Sequence, residues 1–400
     1  MAAACRTLAR GWALTGLVSR IGARGLATDI YEHTPGPAAF AFDIDGVLMR
    51  GGQVLPAAKR RASGGYFAGR GNQPPSPRPQ HTRALALLHD ASGFPRYPIV
   101  FLTNSGGWLE EERARRLSAQ LGVRVGEGQV VQSHTPLKAL APSLADHRML
   151  LVGRGDLHSL AAGYGLRRCV TVEELVRADP ASVPFAEVAV GGPSAGDGSA
   201  QPIRAVLVLN DPSDWYCALQ TSLDVVLGRA VPGARPVTRP PPGAGTCDPD
   251  PVHVVFSNPD VEWAGAHAAP RLGGGAFAAC LQALHTEVTG APLPRVTRFG
   301  KPHAPPYDLA AASLHAQAAA LGWGDRAFGA IWAVGDNPEA DVAGANAAGP
   351  PWTSVLVRTG VFRGPGNSER HPARLVVEDV EAAVRAALHR ARSATWHSMR

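Results

Sequence analysis

The chain has 400 residues, 45% of them apolar, which is enough to bury more than one hydrophobic core, so two domains are expected. The formal net charge is +6, but Arg6, Arg10, Arg20 and Arg24 supply four of those charges within the first 28 residues, and no Lys/Arg run interleaved with aromatics occurs elsewhere. The remainder, about +2, is close to neutral for this size and excludes a general nucleic-acid-binding surface. No run of about eighteen apolar residues occurs, so no spanning helix is expected. The five cysteines are scattered, odd in number and free of any CxxC pair. That argues against a disulfide framework or a zinc site and for a reducing compartment.

Residues 1–28 are rich in Arg, Ala, Gly and Leu and contain no Asp or Glu. This is the composition of a mitochondrial transit peptide, with cleavage expected near Ala27 or Thr28 and the matrix as the destination. A secretory signal fits less well, because Arg20 and Arg24 follow the apolar stretch Gly11–Val18 too closely. Apolar runs then recur at Ala38–Phe42, Ile99–Leu102, Met149–Val152, Ala205–Leu209, Val252–Phe256, Ile331–Val334 and Ser354–Val357. Ala/Leu-rich segments with helical spacing lie between several of them. Such alternation implies an α/β fold with a largely parallel sheet, whose active site lies beyond the carboxyl ends of the strands. Two stretches interrupt the pattern. Residues 62–83 cannot continue a helix, although their flanks could join into one, and they read as a mobile loop, a retained intron or a gene-model error with no packed structure. Pro232–Pro251 reads as a long surface loop.

Four polar blocks carry the chemistry. Asp43 and Asp45 follow the first run as Phe42-Asp43-Ile44-Asp45-Gly46. Residues two apart in an extended segment share a side, so both carboxylates face one pocket, and their repulsion calls for a cation. Taken alone, the block also fits a surface turn. Thr103-Asn104-Ser105-Gly106 closes the second run with a hydroxyl, an amide and freed N–H groups suited to phosphate oxygens. Gly300-Lys301-Pro302 pins a lysine as a fixed charge that can neutralise a transferring phosphoryl group. Gly335-Asp336-Asn337-Pro338 closes a later run and adds a third carboxylate, and Asp341 follows on the first helical turn, where it either orients the site or caps the helix. The order of the four blocks, with at least three closing apolar runs, is far more specific than any one of them.

These residues resemble the haloacid dehalogenase (HAD) superfamily. The wide interval between Thr103 and Lys301 resembles the inserted cap of its type IIA, C2-capped branch, which holds NagD-like and pyridoxal phosphatase-like proteins. Ser257-Asn258-Pro259-Asp260, Gly273-Gly274-Gly275 and Arg358-Thr359-Gly360-Val361 match that branch further. Within it the likeness is strongest to the mitochondrial haloacid dehalogenase-like hydrolase domain-containing protein 5 group. The resemblance covers residues 37–362 apart from the insertion. It implies a Rossmann-like core from 29–146 and 299–400, with the tail 363–400 assigned on the least, and an α/β cap from 147–298. It also implies a magnesium-dependent phosphatase that hydrolyses a small organic phosphate ester. Asp43 would be the nucleophile and Asp45 the acid and base. Asp43, Asp45 and Asp336 would hold Mg2+, and Thr103, Asn104, Ser105 and Lys301 the phosphoryl oxygens, with Asn337 and Asp341 in support. Asn258, Asp260 and Gly274 would lie at the cap's specificity loop. Caps of this branch often pair, which implies a homodimer. Dehalogenation is not implied, because dehalogenating members lack an acid two residues after the nucleophile. Motifs do not prove turnover, so the alternative is a mitochondrial protein that keeps the scaffold as a catalytically silent binding module.

Overall fold

The computed structural model of the chain describes residues 37–55, 80–186, 201–229, 250–324 and 326–398. The expected transit peptide, most of the 62–83 insertion and nearly all of the 232–251 loop lie outside the described residues. The chain opens with β1 (Ala38–Phe42), the short hairpin β2 (Met49–Arg50) and β3 (Gln53–Val54), α1 (Gln80–Leu88), β4 (Ile99–Leu102), α2 (Glu110–Leu121) and β5 (Val130–Val131). It then passes through α3 (Leu137–Leu144) into β6 (Arg148–Val152), α4 (Leu157–Gly163), β7 (Cys169–Thr171), α5 (Val172–Ala178), β8 (Ile203–Val208), α6 (Trp215–Val226) and β9 (His253–Phe256). A hairpin of β10 (Glu262–Trp263) and β11 (Arg271–Leu272), then α7 (Gly274–Thr289) and β12 (Val296–Arg298), complete that part. The return is α8 (Ala304–Ala320), β13 (Ala330–Gly335), α9 (Ala343–Ala348), β14 (Trp352–Val357), β15 (Leu375–Val377) and α10 (Val380–Ser398).

These elements build two sheets whose strands all pair in parallel, six strands ordered β15-β14-β13-β1-β4-β5 and five ordered β12-β9-β8-β6-β7. The expected fold is therefore present, a Rossmann-like parallel core with an α/β cap inserted between β5 and β13. The strand runs are uninterruptedly apolar because both faces of each sheet are covered. In the core, Phe40, Phe42, Phe101 and Trp332 bury one face together with residues of α1, α2 and α10. Ala39, Ala41, Val100, Leu102 and Ile331 bury the other against α8 and α9. The smaller side chains on that second face let those helices approach closely. In the cap, Leu150, Val206 and Val254 face residues of α5, α6 and α7, while Met149, Leu151 and Leu207 face α3 and α4. The helix α3, just ahead of the boundary expected at residue 146, packs on the cap sheet.

The structure corrects one expectation. Residues 80–83 were assigned to the unstructured insertion but form the first turn of α1, with His81 buried. Arg83 pairs with Glu381 of α10 at 2.5 Å, so α1 and the C-terminal helix lock together. The tail thus closes the core, supplying edge strand β15 and α10. Among the described residues no helix is long and apolar enough to cross a membrane.

Phe101 is fully buried in β4, with its ring centroid 6.5 Å from that of Phe42. Phe101→Ala is expected to lower unfolding free energy by about 3–5 kcal/mol, through lost transfer energy and the cavity left behind. Chemical denaturation would measure it, and a loss under about 1 kcal/mol would mean that this layer repacks freely.

Candidate active site

Register places the key groups at one edge of the core sheet. Phe42 is paired with Val334 on one side and Phe101 on the other, so Asp43, Thr103 and Asp336 all leave the carboxyl ends of three adjacent strands. The connection from β1 goes to β4 on one side, while β13 arrives on the other, which makes this the topological switch point where such sheets bind ligands. Gly46 completes the turn after Asp45 with φ of 92°, and a Cβ there would also run into the Asp336 carboxylate. Only glycine serves both requirements.

Lys301 is the hub. It is buried, and its Nζ donates to Asp43 Oδ1 at 2.7 Å, Asp341 Oδ1 at 2.6 Å and the carbonyl of Leu102 at 2.8 Å. All three ammonium protons are thereby used. Burial opposes its charge, but Asp341 and Asp43 outweigh burial and hold its pKa well above the ordinary lysine value. Asp341 accepts from the backbone N–H groups of Asp336 and Asn337 on its other oxygen, at 3.1 and 3.0 Å. Asp341 thus bonds both Lys301 and the turn at Asp336 and Asn337. The helix cap is Asn337, whose side chain accepts from Glu339 N.

Burial pushes Asp43 well above the usual carboxylate range; Lys301 opposes that shift, and Asp341 and Asp336 reinforce it. Burial, then Asp341, push Asp336 up to about 8. Asp336 Oδ2 accepts from Val361 N at 2.6 Å. Among the described residues, Oδ2 of Asp43 and Oδ1 of Asp336 make no hydrogen bond. Asp43, Asp336 and Asp341 each offer a carboxylate oxygen, all within 4.8 Å of one another. If all three ionise, these buried carboxylates outnumber the one lysine by two charges, and the raised pKa values of Asp43 and Asp336 show how strongly that state is resisted without a cation. A hard divalent cation bound through oxygen fits that excess in both charge and ligand chemistry. Asp45 stands half-buried beside them. Burial raises its pKa, and the charge of Arg113 and a hydrogen bond with Ser105 pull the other way.

Thr103 and Ser105 bond to each other through their hydroxyls at 2.9 Å at the mouth of β4. The side chain of Asn104, expected among the groups at the phosphoryl oxygens, bonds the peptide groups of Lys301. Its Nδ2 donates to the carbonyl of Lys301 at 2.9 Å, and its Oδ1 accepts from Lys301 N at 2.7 Å. It clamps the lysine's backbone, because a pinned lysine needs both its peptide groups satisfied once buried. In the cap, Asn258 and Asp260 line the same cavity of about 220 Å³, but Gly274 does not. A Cβ on Gly274 would press on the Asn258 carbonyl and Asp211, so this glycine is needed for close packing beneath the loop. Burial raises Asp260 to about 7. The cavity also takes in Trp108, Arg113, Arg154, Asp211 and Trp263, which the sequence reading missed. Arg154 and Asp211 follow the apolar runs of β6 and β8, so the strand-end rule applied to the cap would have found them. Trp108 and Arg113 carry no such signal.

Under the loop 103–107 lies a buried relay. Gly107 N donates to His134 Nε2 at 3.0 Å, so His134 Nδ1 carries the proton and donates to Tyr164 Oη at 2.8 Å, and Tyr164 donates to Glu110 at 2.6 Å. Burial depresses His134 to about 4. An unfolded histidine titrates near 6.5, so the unfolded chain takes up the proton first. The stability His134 contributes is full above pH 6.5 and is lost as pH falls toward about 4, by an amount on the order of 3 kcal/mol. His134→Gln should flatten the acid limb of the melting profile across that window, while an unchanged slope would contradict the assignment.

Comparison with known proteins agrees with this geometry. The haloacid dehalogenase-like hydrolase family profile matches residues 72–167, and the HAD-hydrolase-like profile matches residues 298–383. The chain is 31% identical over 376 residues to a mitochondrial hydrolase of Saccharomyces cerevisiae, covering 88% of this chain and 96% of that protein. It is 34% identical over 387 residues to a cardiolipin synthase (CMP-forming)/mitochondrial hydrolase fusion protein of Schizosaccharomyces pombe, covering 95% of this chain but spanning only 58% of the fusion. Among solved structures, it superposes on a possible sugar phosphatase of the HAD superfamily from Cytophaga hutchinsonii with a TM-score of 0.55 and 15% identity, covering 86% of this chain and 95% of that one. A p-nitrophenyl phosphatase from Archaeoglobus fulgidus superposes with a TM-score of 0.50 and 18% identity, covering 88% and 100%. The chain belongs to the haloacid dehalogenase-like hydrolases.

Proposed function

We propose that this hydrolase is a magnesium-dependent phosphatase of a small organic phosphate ester, working in mitochondria. The observation that carries the reading is the buried set of Asp43, Asp336 and Asp341 around Lys301, which offers oxygen ligands only and whose ionised carboxylates would outnumber the lysine by two. The names of the two fungal relatives support the mitochondrial part, and the basic, acid-free residues 1–28 point to import into the matrix.

A carboxylate of Asp43 attacks phosphorus in line, and the bond from phosphorus to the ester oxygen breaks as an aspartyl-phosphate forms. Asp45, whose pKa burial raises, gives a proton to the departing oxygen. Asp45 then takes a proton from water as that water attacks the same phosphorus, releasing orthophosphate and restoring Asp43. Lys301 orients Asp43 and neutralises phosphoryl charge, with the hydroxyls of Thr103 and Ser105 holding phosphoryl oxygens. Asn104 and Asp341 act through Lys301. Asp43, Asp336 and the backbone carbonyl of Asp45 would hold magnesium, which supplies Lewis-acid polarisation of the phosphoryl group.

Phosphate release from para-nitrophenyl phosphate tests the reading. Turnover should need magnesium, stop with a chelator and fall by roughly 10³-fold or more in Asp43→Asn. A folded wild-type chain without magnesium-dependent turnover of this or any phosphate ester would return the protein to a binding role. A second test needs no substrate. Magnesium at a hundredfold excess over its dissociation constant should stabilise the chain by about 2.7 kcal/mol, seen as a higher melting temperature that Asp336→Asn removes. An equal rise in that variant would place the ion elsewhere.

A further inference from the structure

Two guanidinium groups of the catalytic cavity are left over by this chemistry. Arg113 reaches the cavity from α2, and its Nε is buried without a hydrogen-bond partner. It forms no ion pair among the described residues. It stands near enough to Asp45, and less strongly to Asp43, for their charges to act on it. That places it on the side where the leaving group's oxygen would receive a proton. Arg154 enters from the cap, in the loop after β6. Its backbone is gripped by the buried Asn210, which accepts from Arg154 N at 2.7 Å and donates to the Arg154 carbonyl at 3.1 Å. Gly153 makes that grip possible, since a Cβ there would lie 2.7 Å from Asn210 Oδ1. The Arg154 side chain is exposed to the cavity and has no hydrogen-bond or ion-pair partner among the described residues.

Of the cavity's acids outside the Lys301 cluster, Asp45 faces Arg113, Glu262 is exposed, and the other two accept from amides. Asp211 accepts from Asn258 at 3.0 Å, and Asp260 accepts from Asn337 at 3.4 Å. Arg154 has no such partner, and Arg113 has only the charge of nearby carboxylates, with its Nε unmatched. Guanidinium groups have five donors in a planar fork suited to carboxylate or phosphate, and a buried donor left unmatched is costly unless a ligand supplies the acceptor. Trp108 and Trp263 add aromatic rings to the same lining. We infer that Arg113 and Arg154 form a second anion subsite, so that the preferred substrates are phosphate monoesters whose leaving group carries its own negative charge, a carboxylate or a second phosphate. This rests on the phosphatase reading of the same cavity and narrows its substrate class.

The test compares three esters of similar size with magnesium present: glycerol 3-phosphate, whose leaving group is uncharged, 3-phosphoglycerate, which adds a carboxylate, and glycerol 1,3-bisphosphate, which adds a phosphate. The wild type should favour at least one anionic ester in kcat/KM by roughly tenfold or more, and whichever is favoured identifies the anion. Arg113→Gln and Arg154→Gln should each lower that preference by roughly tenfold, chiefly through KM of the anionic ester. Arg154 is exposed, so its variant carries the test if Arg113→Gln does not fold. A wild-type preference for glycerol 3-phosphate, or a preference that neither variant moves, overturns the subsite. Were no ester turned over, the phosphatase reading would fall separately, and calorimetric binding of the same three compounds would decide the subsite. Tighter binding of an anionic ester that Arg154→Gln weakens supports it, and equal binding of all three overturns it.

Discussion

One buried ammonium organises this molecule's reactive edge. Lys301 sits where the carboxyl ends of β1, β4 and β13 meet and gives one proton each to Asp43, Asp341 and the Leu102 carbonyl. Charges so deeply buried are tolerable only when paired and hydrogen-bonded. Much of the surrounding structure provides that pairing. Asn104 satisfies the lysine's own peptide groups, Asp341 is held by two backbone N–H groups, and Tyr307 donates to the Asp341 carbonyl at 3.1 Å. The three carboxylates outnumber the one ammonium, and burial and mutual repulsion raise the pKa values of Asp43 and Asp336, a strain that a divalent cation would relieve.

The cap closes the opposite wall of the cavity. Its β10–β11 hairpin is tied to the core at two points: Arg50 of β2 donates to the Gly265 carbonyl at 3.0 Å, and Arg363 donates to the Ala268 carbonyl at 2.9 Å. Gly51 at the tip of the β2–β3 turn packs so closely on Ala266 that a side chain there would collide with it. The flap after Asp45 and the cap hairpin therefore meet over the catalytic groups. Such a closure excludes water, which strengthens each electrostatic interaction inside. The 62–83 stretch lies just beyond this flap in sequence, and β2 and β3 pair normally ahead of it.

The core strands were legible because each is a short, uninterrupted apolar run. The runs at Ala38–Phe42 and Ile99–Leu102 coincide with β1 and β4. The edge strands β5, β7, β12 and β15 were not legible, since two or three residues carry no periodicity. The start of α1 was misread because a glycine- and proline-rich stretch precedes it, while its helical state is set by packing on α10. Asp43, Asp45, Thr103 and Asp336 were legible as candidates from their places at the ends of runs, and Lys301 from its setting between Gly300 and Pro302 and its order among the blocks. The role of Asn104 was not, since a side chain at a strand end says nothing of which distant backbone it will bind.

The sequence by itself determined the parallel α/β architecture, the strand ends that bear reactive groups and the identity of those groups, because hydrophobic period and residue chemistry are local properties. Only the tertiary structure decided which groups meet. Lys301 stands 258 positions from Asp43 along the chain yet donates to it at 2.7 Å. Arg113 and Arg154 come to one cavity from a core helix and a cap loop. Contacts of that range follow from sheet register and from the docking of cap on core, which bury the charges together and thereby fix their pairing.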